Sequence, residues 1–239
     1  NLVEFFCDKL TCCFFYALIV VIINMSICKI EETNKLYNTE YSNILNKHKH
    51  IFYELNEKTN DNYLCGSYMI SGQDYSYMND HFIKQELLFN KVKNIKSVLE
   101  VGVYMGHSMF IMLMANPYLK ITAIDICDNY AKPCIEILNK HFNNNITFLH
   151  GNSLNILPTI KEKFDFFHID AQHENHMVKK EFDLILPLND DKNYLTCIFD
   201  DWLCMEEFSK EILKKYKVVE DIIADNRGDS NRYMKIKIS

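Results

Sequence analysis

The chain has 239 residues, 48% hydrophobic and 24% charged, which suits a folded domain with a buried core and excludes a disordered or fibrous chain. Asp and Glu outnumber Lys and Arg by 32 to 26, and this acidity speaks against nucleic acid as a partner, because counterion release needs a basic surplus. Nine cysteines, odd in number and without a C-x-x-C pair, argue against a disulfide scaffold or zinc ribbon and for a reducing, cytoplasmic setting.

Residues 1–28 stand apart as a hydrophobic segment. From Leu10 to Cys28 no side chain is charged, and as a helix the stretch would span ~28 Å, the thickness of a bilayer core. Three readings stand open: a membrane anchor through residues 10–28, with Lys29 and Lys35 favouring a cytoplasmic domain behind it, a non-native extension ahead of Met25, or a buried core helix. Residues 29–95 read as a helical cap and lid. Leu36, Ile44, Leu45, Ile51, Phe52 and Leu55 give a sparse apolar face, residues 61–80 are rich in Tyr, Gly, Ser and Asp, and a helix is predicted over His81–Asn94.

Residues 96–239 alternate short apolar runs with amphipathic stretches, the pattern of βα units. The expected fold class is α/β, a Rossmann-like doubly wound sheet, mostly parallel. Strands are predicted at Ser97–Val101, Lys120–Asp125, Ile146–His150, Phe164–Asp170 and Tyr194–Asp200, with helices at Ser108–Met114, Ala131–Phe142, His176–Leu186 and Met205–Lys215. Val218–Ile223 and Tyr233–Ile238, joined by a turn over Asn226–Asn231, form a closing hairpin that adds an antiparallel strand.

The strongest motif is VLEVGVYMGHSMFIML at residues 98–113. A buried strand delivers Glu100, then Gly102 and Gly106 permit a tight turn and a close ligand, and a helix opens near Ser108. An acid in the loop repels a pyrophosphate but suits an ammonium group, and the helix start with Ser108 suits a carboxylate. S-adenosylmethionine carries both. Asp125, at the end of the second strand, offers an acceptor pair for ribose hydroxyls, and Gly151-Asn152-Ser153, after the third, offers a rest for an adenine ring.

These residues resemble class I S-adenosylmethionine-dependent methyltransferases of the catechol, caffeoyl and sugar O-methyltransferase-like, metal-dependent group. The E-x-G-x-Y-x-G-x-S loop (Glu100, Gly102, Tyr104, Gly106, Ser108) matches that group's first motif, and Asp125 stands at its acidic ribose position. Asn152 replaces the usual Asp of the adenine segment, with Ser153 beside it and Leu157-Pro158 following. The resemblance runs from about Tyr68 to the C-terminus and implies S-adenosylmethionine as cofactor and a small-molecule hydroxyl as methyl acceptor. Other readings on the same fold are a metal-binding hydroxylase-like relative and a nucleotide-binding module without catalysis, and a homo-oligomer is compatible with each.

Asp170, Asp200 and Asp201 end the fourth and fifth strands at the carboxyl edge of a parallel sheet. Three acids converging there repel unless a cation neutralises them; oxygen ligands favour Mg²⁺, with Ca²⁺ or Mn²⁺ as substitutes. Capping of loops is the simpler use of any one such Asp. The resemblance puts Asp170 and Asp200 at the first two ligand positions and Asp201 at the third, where the catechol branch has Asn. It also puts His173 where that branch has a lysine base, a role an imidazole can fill near neutral pH, with a hydrogen bond to Asp170 as the other reading. His107 is expected to face the crevice or solvent, Tyr68, Met69, Tyr75 and Tyr77 to line a lid or pack as a loop, and Trp202 to wall the site or join the core.

Overall fold

The computed structural model describes residues 35, 37–59, 68–71, 76–143, 145–170, 172–226 and 229–239. The hydrophobic stretch at 10–28 therefore lies outside the described residues, as do Leu36 and Tyr75. No helix among the described residues is long and apolar enough to cross a membrane.

Seven strands form the main sheet: β1 (Ser97–Val101), β2 (Lys120–Asp125), β3 (Ile146–His150), β4 (Phe166–Ile169), β5 (Tyr194–Phe199), β6 (Lys217–Asn226) and β7 (Asp229–Lys237). Their spatial order is β3-β2-β1-β4-β5-β7-β6, with β1 to β5 parallel and β7 inserted antiparallel between β5 and β6. The predicted Rossmann-like sheet and its antiparallel hairpin are therefore present. The hairpin strands run further than expected, to Asn226 and from Asp229, because cross-strand pairing extends regular structure into residues of poor β-propensity.

Both faces of the sheet are covered, which is why the parallel strands read as nearly continuous apolar runs. Val98, Ile121, Ala123 and Phe166 face a layer containing α1 (Glu40–Thr59), α2 (Phe82–Val92), α3 (His107–Ala115) and α4 (Asp128–His141). Leu99, Val101, Ile124, Phe167 and Ile169 face α5 (Asn175–Ile185) and α6 (Glu206–Lys215). Helix α3 is buried from His107 to Met114 and is apolar nearly all round, as a helix enclosed on all sides must be.

In α1, Leu45, Ile51, Phe52 and Leu55 join the same core cluster as Phe110 and Leu138, so the expected apolar face packs directly on α3 and α4. His107 corrects the sequence reading: it is buried against α1 and contacts Asn56 Oδ1 through Nε2 at 2.9 Å, because the first turn of α3 points into the helical layer. Trp202 takes the core alternative, packed among Phe199, Phe208 and the Arg232 guanidinium.

Candidate active site

Five strand ends meet at the carboxyl edge. Backbone bonds carry the ladder past the strands, from Gly102 N to Ile124 O, Gly151 N to Asp125 O, Asp170 N to Val101 O and Asp200 N to Ile169 O. This zipping sets Gly102, Asp125, Gly151, Asp170 and Asp200 along one rim, beside the crevice where the strand order reverses at β1.

A cavity of about 300 Å³ opens there, lined among others by Gly102, Tyr104, Asp125, Asn152, Ser153 and Asp170. These six and Gly151, all singled out in the sequence, are thus brought together. Positive φ at Gly102 (91°), Tyr104 (47°) and Gly106 (70°) curls the loop after β1 into a cradle. Asp125 organises it: Oδ2 accepts from the backbone N–H groups of Val103 and Tyr104 at 2.7 and 2.9 Å, and Oδ1 from Cys127 N at 2.7 Å. The Tyr104 ring meets Tyr130 edge-on, and Ile126, though apolar, stands 69% exposed on the cavity wall.

Glu100, Gly106 and Ser108 are not on that wall. The pleat turns Glu100 to the same face as Val98, into the helical layer, where it is fully buried. Its Oε1 accepts from Ser108 Oγ at 2.5 Å and lies 3.0 Å from His168 Nδ1, its register partner on β4. Burial raises the Glu100 pKa above the usual carboxylate range, with His168 and Ser108 pulling it back. Gly106 brings the loop against α4: a Cβ there would sit 3.2 Å from Cys134 Cβ and 3.4 Å from Leu138 Cδ1. These three residues support the cradle from behind. Asn152 Oδ1 caps the short helical turn at 153–156 by accepting from Leu154 N.

Beside the cavity, ligand atoms of Asp170, His173 and Asp200 lie within 4.8 Å of one another. Asp201, in a left-handed backbone conformation, turns to His173 instead, its Oδ2 3.0 Å from Nδ1. Nε2 of His173 is 3.5 Å from Asp170 Oδ1, an ion-pair distance without hydrogen-bond geometry, so this buried nitrogen has no hydrogen-bond partner. Burial lowers the His173 pKa, but the adjacent Asp170 and Asp201 carboxylates outweigh it and raise it to about 10. The donor set, carboxylate oxygens with one imidazole at a sheet edge, fits a small divalent cation.

Two residues of this region escape the motifs. Glu181 of α5 lines the cavity, is 1% exposed and accepts from Ser153 Oγ at 2.5 Å; burial pushes its pKa up. Lys84 of α2 is buried, with Nζ 3.2 Å from Asp200 Oδ1. Each left a trace in the sequence as a charge on an apolar stripe: Glu181 beside Val178, Phe182 and Ile185, and Lys84 one turn before Leu88.

Residues 99–202 match the model of a methyltransferase-domain family. That match spans less than half of the chain, and over this part the sequence is similar to a methyltransferase domain. The chain is 30% identical over 102 residues to an Arabidopsis thaliana protein assigned as a caffeoyl-CoA O-methyltransferase, covering 41% of this chain and 43% of that protein. It is also 30% identical over 93 residues to the tapetum-specific methyltransferase 1 of the same plant, covering 36% and 40%. The chain thus matches less than half the length of these curated relatives. The fold extends further. A Bacillus cereus O-methyltransferase crystallised with S-adenosylhomocysteine superposes with a TM-score of 0.60 at 13% identity, over 90% of this chain and 99% of that one. The fold shared with that structure includes the sheet on whose rim the cavity and the acidic cluster sit.

Proposed function

We propose that the chain transfers the methyl group of S-adenosylmethionine to an oxygen of a small hydroxylated molecule, catechol-like or sugar, with help from a divalent cation, most simply Mg²⁺. One observation carries the reading: Asp170 belongs both to the wall of the cofactor-sized cavity and to the acidic cluster, so a methyl donor and a hydroxyl acceptor held at the two would be neighbours. The catalytic domain is residues 96–239 and the cap is residues 29–95.

In this reading Gly102 and Tyr104 let the cofactor approach the backbone, Asp125 offers its remaining lone pairs to the ribose, and Asn152 and Ser153 flank the adenine, whose flat face would cover exposed Ile126. Glu100, Gly106 and Ser108 hold the cradle in shape. Asp170 and Asp200 would hold the cation, with Asp201 as a third ligand once it turns from His173, and the cation would acidify the acceptor hydroxyl. His173 is the base: Asp170 and Asp201 keep its imidazole protonated, and with those carboxylates turned to a cation it would lose that proton and, once neutral, could accept the one from the acceptor hydroxyl. The acceptor oxygen forms a bond to the methyl carbon as the carbon–sulfur bond breaks, giving S-adenosylhomocysteine, while the hydroxyl proton goes to His173. Positioning of the two substrates supplies most of the acceleration.

The test is a screen of catechols, flavonoids and sugars with labelled S-adenosylmethionine, with and without Mg²⁺. Asp200 is off the cavity wall, so Asp200→Asn should abolish cation-dependent turnover and leave S-adenosylhomocysteine affinity within about twofold, as read by calorimetry. Undiminished turnover in that variant would overturn the metal role, and binding of NADH in place of S-adenosylhomocysteine would overturn the cofactor.

A further inference from the structure

Lysine is seldom buried, because its ammonium gives up hydration that only a close anion or an aromatic face returns. Lys84 has both. Its side chain is 4% exposed, Nζ donates to Asp200 Oδ1 at 3.2 Å, and the same Nζ stands 4.4 Å above the Tyr68 ring. Asp200 is equally enclosed, at 5% exposure. The ammonium therefore reaches the acidic cluster from beneath, out of α2, 116 positions earlier in the chain.

Its charge completes an account of the cluster. Asp170, Asp200 and Asp201 bring three negative charges to one rim, where His173 faces Asp170 and Asp201 and Lys84 faces Asp200. We propose that Lys84 is the built-in counter-cation of Asp200: by sharing Asp200 Oδ1 it holds down the site's affinity for the divalent ion. This rests on the reading of the three carboxylates as cation ligands. The consequence runs opposite to ordinary damage. Losing a buried partner by itself loosens a site, whereas losing a like charge beside a bound cation strengthens its attraction to the remaining carboxylates.

Lys84→Gln keeps a hydrogen-bond donor for Asp200 without the charge, and Lys84→Met removes both. Mn²⁺ titrated into the 239-residue chain and followed by water-proton relaxation should bind at least tenfold tighter to Lys84→Gln than to the unaltered protein. It should also raise the melting temperature of the variant by the larger amount. Adding Asp201→Asn to Lys84→Gln should return the affinity towards the starting value. Lys84→Met should follow Lys84→Gln if it folds, as circular dichroism and S-adenosylhomocysteine binding will report. Equal or weaker Mn²⁺ binding by folded Lys84→Gln overturns the counter-cation role and leaves the metal reading standing. Absence of saturable Mn²⁺ binding in every one of these proteins overturns both.

Discussion

Buried polar residues carry much of the support for the site. Glu100 sits in the helical layer with Ser108 and His168 on one carboxylate oxygen. Glu100→Ala would strand both partners in the core, and urea unfolding should show a loss of about 2–4 kcal/mol. His107 is held neutral: burial lowers its pKa from 6.5 to about 3. Since the unfolded chain binds this proton more readily, the His107 contribution is intact above pH 6.5. It declines as the pH falls, at up to about tenfold in the folding equilibrium per pH unit, and levels off near pH 3. His107→Asn should flatten that part of the stability–pH profile. His173 belongs to the other class, a half-buried imidazole whose charge is maintained by two carboxylates. His173→Ala should reduce kcat by roughly 10²–10⁴ while sparing S-adenosylhomocysteine binding.

At the level of elements, the loop between β1 and α3 decides whether a cofactor fits. It combines three positive-φ residues with a carboxylate from the neighbouring strand end that accepts two of its N–H groups. Gly106 is the tightest point: φ of 70° disfavours a side chain, and a Cβ would press on Cys134 and Leu138 of α4. Gly106→Ala should lower the urea midpoint by the equivalent of about 1–3 kcal/mol with an unchanged m value. The element boundaries were largely readable. β1, β2 and β3 fall where the apolar runs end, and α4 begins three residues earlier than predicted, at Asp128, because an acid in the first turn of a helix is favourable ahead of the apolar face.

At the scale of the whole molecule, one sheet gathers side chains from distant parts of the chain onto one rim, while α1 closes the opposite layer through His107–Asn56 and the ion pair of Glu54 with Lys140. A ligand in the crevice therefore stabilises the entire domain. S-adenosylhomocysteine at 100 times its Kd should add about 2.7 kcal/mol. Hydrogen exchange should slow most in the loops after β1, β2 and β3 and least in the β6–β7 hairpin, which lies at the other end of the sheet.

The sequence by itself determined what is local: the period of each strand and helix, the glycines that need positive φ, and the acids that end parallel strands. It also carried the antiparallel close, because a hairpin joins neighbours in the chain. Which acids act together was a different matter. Glu100 looks like a cofactor ligand from its place in the motif, yet the pleat and the β1–β4 register hand it to His168, 68 positions away. Asp201 follows Asp200 directly, but its left-handed backbone sends it to His173. Lys84 reads as an ordinary helix lysine until α2 packs under the sheet and brings it to Asp200. Local rules cannot supply these pairings, since they depend on strand order and on which face of each strand is turned to which layer. Those are fixed only when the whole core closes.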